Sequence, residues 1–243
     1  MTADQLSAQF TTEQLEALVR RLELRPQLLR RQVEEQITAL VPLPDDWLDQ
    51  QRTALLGQHS LEGFLASRGW DEADLSLHLR RPEALRRFAE QRFGPGLEER
   101  FLASEGSRDT VFYSFLRVRD SALLRELWIR LEEGETTFAE AAATYSEGPE
   151  KAHKGLIGPL PMARVHPPQL AAVLRNLQPG QISAPTTMGD WQVLVRLEQL
   201  TPARFDAAMR ERLLSEQLDA LLDQRVKQLL AGDQPEPLHY DPC

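Results

Sequence analysis

Apolar residues recur every three or four positions through most of the first ninety or so residues, the period of helices that bury one face. Thr11 and Gln14 have capping-box spacing, and Leu15, Leu18, Val19 and Leu22 then share one face. Pro26 suits a first helical position, with Leu29, Val33, Ile37 and Leu40 following at helical spacing. The segment VPLPDDWLDQQ interrupts and restarts the pattern. The run from Ser60 to Phe93 predicts two or three short helices, with Gly69 as a stop, Asp71 as a cap and Pro82 opening a new first turn.

The pattern changes after FGPGLEERFLASEGSRD. TVFYSFLRV, Thr110 to Val118, is β-branched and aromatic and reads as a strand. DSALLRELWIRLEEG predicts an amphipathic helix ended by Gly134, and TTFAEAAATYS a shorter one. From Lys154 to Pro185 the chain is too rich in Gly and Pro for one long helix, yet its apolar positions are too regular for disorder. It predicts an irregular apolar turn, a helix from about Pro167 to Leu177 and the turn QPGQ. A short strand and WQVLVRLEQL, Trp191 to Leu200, close an antiparallel-leaning α+β unit rather than a repeated strand–helix–strand nucleotide fold.

Beyond Thr201–Pro202, a stripe of Phe205, Met209, Leu213, Leu214, Leu218, Leu221, Leu222 and Val226 runs up to Leu230 and needs cover. The N-terminal helices are the nearest candidates. The fold class is therefore α+β: a helical N-terminal module over residues 1–105, a small antiparallel sheet flanked by helices over 108–200, and a long C-terminal helix over 202–231 packing back on the N-terminal module. The Pro-rich segment 232–243 reads as a flexible tail, with His239 lacking partners.

Composition narrows the chemistry. With 243 residues, 42% of them hydrophobic, the chain can build one or two domains with a core. A net charge of −9 argues against nucleic acid, since phosphate binding needs a basic face. The pairs Arg20–Arg21, Arg30–Arg31, Arg80–Arg81 and Arg86–Arg87 sit beside acids and read as solvated faces. The one cysteine, Cys243, builds no intrachain disulfide, zinc cluster or thiol catalyst. His59 and His78 have no partner at ligand spacing and read as ordinary surface or half-buried residues. The first fifteen or so residues lack a basic stretch leading into an apolar run, and nothing approaches the ~20 apolar residues of a membrane span. The expectation is a cytoplasmic protein without membrane insertion.

Between Val111 and Glu198 the segments LWIRLEEGETTFAEAAATYSEGP, KGLIGPL, HPPQLAAVLRNLQPGQISAP and WQVLVRLE stand in an order that resembles the parvulin family of peptidyl-prolyl cis–trans isomerases. The flanking helices resemble the layout of bacterial chaperone-foldases, whose terminal helices form a polypeptide-binding module. The resemblance implies a groove for an X–Pro bond in a polypeptide client and requires no cofactor or metal. Its two core histidines are carried over to Ser114 and Gln192, which can hydrogen-bond but do not titrate near neutrality. The Cys or Asp that often follows the YS element falls at Gly148, and the Asp of the glycine turn at Leu156.

For the proline pocket the resemblance implies Ile157, Met162, His166 and Leu170, with Val165 nearby and Met188 placed loosely. Trp191 restores a lost aromatic wall on one choice of strand face and lies outside the pocket on the other. His166 reads either as a surface residue at a helix start or as groove-lining. His153, beside Lys151 and Lys154, reads as a solvated loop or as a basic lip. The functional expectation is a prolyl isomerase with a degenerate site. The alternatives are a non-catalytic chaperone or maturation factor for an unfolded or exported polypeptide, and a purely structural partner that binds one protein through the helical module. The resemblance allows a peptide-export or nitrogenase-maturation setting, and the residues do not select between them. The residues leave the oligomeric state open.

Overall fold

The computed structural model describes residues 11–57, 59–104 and 106–241. Readings that fall on residues 1–10, Gln58, Glu105, Pro242 and Cys243 lie outside the described residues. The chain forms two compact units, and Arg100–Phe205 is inserted in sequence between the two parts of the other.

The first part holds α1 (Thr12–Arg21), α2 (Arg25–Leu40), α3 (Asp45–Leu56), α4 (Leu61–Arg68) and α5 (Glu72–Phe93), followed by the short α6 (Leu97–Ala103). Thr11 and Gln14 close the expected capping box on α1, and Asp71 and Asp74 close another on α5. Gly69 ends α4 in the left-handed conformation that costs glycine little. Pro82 does not start a helix; it lies inside α5. A proline there removes a backbone donor at a cost of about 3 kcal/mol. The residues just after it, Ala84 and Phe88, are fully buried, so packing outweighs that loss.

The inserted unit contains β1 (Thr110–Val118), α7 (Ser121–Glu132), α8 (Phe138–Tyr145), β2 (Leu156–Pro161), α9 (Pro168–Arg175), β3 (Thr186–Met188) and β4 (Trp191–Thr201). The strands form one sheet in the order β2–β1–β4–β3, every neighbouring pair antiparallel. The apolar stretch expected to turn irregularly is instead the edge strand β2. Its prolines are tolerated because an edge strand need not donate on its outer side. Gly155 (φ +83) and Gly158 (φ +114) set its bends, and a Cβ on Gly155 would stand 2.8 Å from the Phe115 carbonyl.

Alternation then gives the sheet two apolar faces. On one, Leu116, Val118 and Leu194 pack with Leu124 and Leu127 of α7 and Phe138 of α8. On the other, Tyr113, Phe115, Val193 and Val195 pack with Leu170 and Leu174 of α9.

The chain returns to the helical unit as α10 (Ala207–Ala231), which packs on α2 and α5 as the apolar stripe predicts. Val33, Ile37 and Val41, Ala84 and Phe88, and Leu222 share one core. At its edges Arg210 pairs with Glu90, and Arg30 reaches Asp219 and Asp223, one helical turn apart on α10. The segment expected to be a loose tail is a correction: Leu238 and Tyr240 pack against this core, because two large apolar side chains find uncovered surface there. No helix among the described residues is long and apolar enough to cross a membrane.

Leu222→Ala removes a side chain that is 1% exposed and should cost about 2–5 kcal/mol in denaturant unfolding of the helical unit. Acid should weaken the same unit. The Arg86 guanidinium holds the Glu83 carboxyl down at about 2, and a hydrogen bond from Arg210 lowers that of Glu90. Both groups bind protons more readily when unfolded, so their contribution is full above the ordinary carboxylate range and fades as pH falls toward about 2. Melts followed by circular dichroism should decline over that window, and less steeply in Glu83→Gln.

Candidate active site

The face of the sheet shared with α9 carries an open cavity of about 580 Å³. Tyr113, Phe115 and Arg117 of β1 and Val193 of β4 form its sheet side, at alternate positions as the pleat requires. Leu170 of α9, with His166 and Pro167 just before it, forms another side. Ile157 of β2 and the β3–β4 hairpin, with Met188 opposite Trp191, complete the enclosure.

The expected pocket residues Ile157, His166, Leu170, Met188 and Trp191 are therefore brought together around one hollow. His153 borders it too and is exposed, whereas Lys151 and Lys154 do not line it. Leu156 stands at its mouth, 42% exposed. Three expectations are corrected. Met162 is 1% exposed in the core behind the cavity, because it follows β2 in a tight turn rather than standing on the wall.

Ser114 and Gln192 share the sheet but alternate onto its opposite face. There the Ser114 hydroxyl donates to Glu198, and Thr187 Oγ1 donates to Gln192 Oε1 at 3.1 Å. Neither side chain lines the cavity. The residues missed are the immediate neighbours, Tyr113, Phe115 and Arg117. Tyr113 and Phe115 supply an aromatic wall, and the signal for it is the alternation of bulky residues from Val111 onward.

Arg117 gives this wall a charge of fixed position. Its Nε and Nη2 donate to Oε1 and Oε2 of Glu150 at 3.1 and 2.9 Å, a planar bidentate pairing. Ser146 Oγ donates to Glu150 Oε1 at 2.5 Å and accepts from the Arg117 backbone N–H at 3.2 Å. Glu150 and Ser146 are buried, whereas a quarter of the Arg117 side chain stays exposed. The guanidinium also lies 5.3 Å from the Trp191 ring centre, with that of Arg119 5.1 Å from the same ring. Burial pushes the Tyr113 hydroxyl pKa upward and the Glu150 carboxylate adds to the shift, so the phenol stays neutral at physiological pH.

Gly148 explains how the pair fits. A side-chain carbon there would collide with Arg117 Nε, Arg117 Nη2 and Glu150 Oε2. Where the resemblance puts a Cys or Asp side chain, this chain has space, and the Arg117–Glu150 pair fills it. The cavity thus combines apolar walls with one braced cation, and its lining holds no Ser, Thr, Cys or Lys.

Residues 118–199 match the family described as Rotamase: PPIC-type PPIase domain, so the chain carries a peptidyl-prolyl isomerase domain of this type. The match begins at Val118 and leaves out most of β1, the strand that contributes Tyr113, Phe115 and Arg117 to the cavity. Among solved structures, the chain is similar to a peptidylprolyl isomerase (PrsA) from Bacillus cereus, with 16% identity, 93% of this chain and 89% of that one covered, and a TM-score of 0.49. The corresponding figures for a PrsA from Bacillus anthracis are 18%, 86%, 99% and 0.45. For a SurA-like chaperone of Campylobacter jejuni they are 14%, 94%, 88% and 0.37. No curated protein matches the chain.

The braced pair makes a stability prediction. Arg117→Met strands a buried carboxylate and should cost about 3–5 kcal/mol, whereas Arg117→Met with Glu150→Met should recover most of the loss. Gly148→Ala should cost about 1–3 kcal/mol through overpacking. Urea unfolding of the three variants checks all of this; a double variant no better than Arg117→Met alone would mean the pair is not the cause.

Proposed function

We propose that this chain is a foldase whose inserted unit turns X–Pro bonds of an extended polypeptide client, and whose helical unit holds that client. The observation that carries the reading is the cavity beside Leu170, apolar on most sides, open to solvent and edged by Arg117. Rotation about an X–Pro bond crosses a barrier of about 18–20 kcal/mol set by amide resonance. The planar amide is the more polar form and is favoured by water. An apolar pocket that takes the proline ring removes that water and so penalises the planar form more than the twisted one.

A donor already in place adds to this without reorganising. Glu150 engages Nε and Nη2 of Arg117, which leaves the Nη1 hydrogens for a bound backbone carbonyl. Ile157, Leu170, Met188 and Trp191 hold the ring, and His166 borders the entering chain. No covalent step is required.

A second reading is a holder that binds without turning the bond. It is favoured by Gly148, which brings no side chain to the wall, and by Ser114 and Gln192, which face away from it. One measurement separates the two. Exchange spectroscopy on an X–Pro peptide should show faster isomerisation with the protein present, and Trp191→Ala and Ile157→Ala should each lower kcat/KM by about tenfold, or ~1.4 kcal/mol. An unchanged rate at high protein concentration would eliminate turnover. The full chain should then still slow aggregation of a chemically unfolded model protein, and failure there would remove the holding reading as well.

A further inference from the structure

Residues 235–241 follow α10 as an extended segment without helix or strand, yet they are seated against the helical unit. Pro235, Leu238 and Tyr240 are half-buried, while Glu236, Pro237 and His239 face solvent. Leu238 and Tyr240 act as apolar anchors on the core formed by α2, α5 and α10. The polar grip is on the backbone: Arg225 Nη2 donates to the Glu236 carbonyl at 2.7 Å, and Gln91 Nε2 donates to the Asp241 carbonyl.

Carbonyls are common to every polypeptide, so these donors set the path of a chain and not its sequence. Selectivity falls to the anchors, one aliphatic and one aromatic, two positions apart. The fit is also incomplete. A cavity of about 500 Å³ remains between the segment and Gln36, Leu40 and Leu229. Arg225 Nε is buried there without a hydrogen-bond partner. Burial and the nearby Arg92 lower the Arg225 pKa, and Glu236 offsets this only in part. An occupant that filled the space and brought a further acceptor to Arg225 would bind better than the chain's own segment.

We propose that this groove is the docking surface for extended, proline-bearing client segments with a Leu-x-Tyr-like pair of anchors, and that residues 235–241 occupy it as a tethered competitor. The proposal rests on the client-holding reading above and names where holding occurs. A segment tethered so closely competes at an effective concentration of about millimolar, so a client would meet a groove open only part of the time.

The test uses the full chain with Leu238→Ser and Tyr240→Ser, and a fluorescein-labelled peptide of the sequence QPEPLHYD as probe. Fluorescence anisotropy should show the double variant binding the peptide at least about tenfold more tightly than the parent. Adding Arg225→Met should abolish the gain. Equal binding by parent and double variant, or none by either, overturns the proposal, as does a gain that survives Arg225→Met. If circular dichroism shows that the double variant has lost helix, Tyr240→Ala alone carries the same comparison. Aggregation suppression by the parent, measured in parallel, separates the two failures. A parent that suppresses aggregation while the peptide results are negative loses only the groove; a parent that does neither loses the holding reading too.

Discussion

A β-strand has two faces, and the pairing of β1 with β4 decides which residues of this chain meet in the cavity. Phe115 stands opposite Val195 and Arg117 opposite Val193, so one face gathers aromatic, aliphatic and guanidinium groups. A slip of one residue would send Ser114 and Leu116 inward and turn Phe115 and Arg117 out. Burial forbids that slip. Both faces are apolar and covered, with α7 and α8 on one side and α9 on the other, so no alternative register hides as much surface. Only near the start of β1, where the register shifts after Phe112, does the pairing relax.

That constraint gives Arg117 its role. A guanidinium on a sheet face among Phe115, Trp191 and Val193 is costly to desolvate unless its partner is fixed. The partner comes from the turn Pro149–His153, and Ser146 orients it from the end of α8. Gly148 lies between the two and leaves room for both. These positions are one device distributed over a strand, a helix end and a turn. Taken singly, an Arg after an aromatic residue, a Glu in a loop and a Gly beside a Pro carry no signal.

This explains what could be read from the sequence. Long periodic elements were legible: the capped helices, β1 within TVFYSFLRV, β4 and the stripe of α10 all follow from spacing and caps. Pro82 and β2 were not, because packing of Phe88 and pairing with β1 are long-range terms that local propensity does not contain. Of the site, the aliphatic residues Ile157 and Leu170 were legible through the family resemblance, and the family match begins only at Val118. The strand ahead of it was placed by analogy, and its functional positions fell one residue away from those that face the cavity. The segment after α10 was misread for a different reason. Proline content signals a lack of regular structure, and it says nothing about whether Leu238 and Tyr240 find a surface to cover.

The two surfaces proposed to meet a polypeptide share a physical logic. In each, apolar sockets supply the attraction, and a guanidinium or amide held by its neighbours meets the main chain of the occupant. Such recognition needs no reactive atom and no charge matched to a particular side chain, so it tolerates substitution wherever volume is kept. It does not tolerate loss of the bracing group. A flexible arginine would spend its hydrogen bonds on water, whereas one fixed by Glu150 has already lost its freedom before the chain arrives. The residues that must be kept are therefore those that hold a donor still, more than those that touch the bound polypeptide.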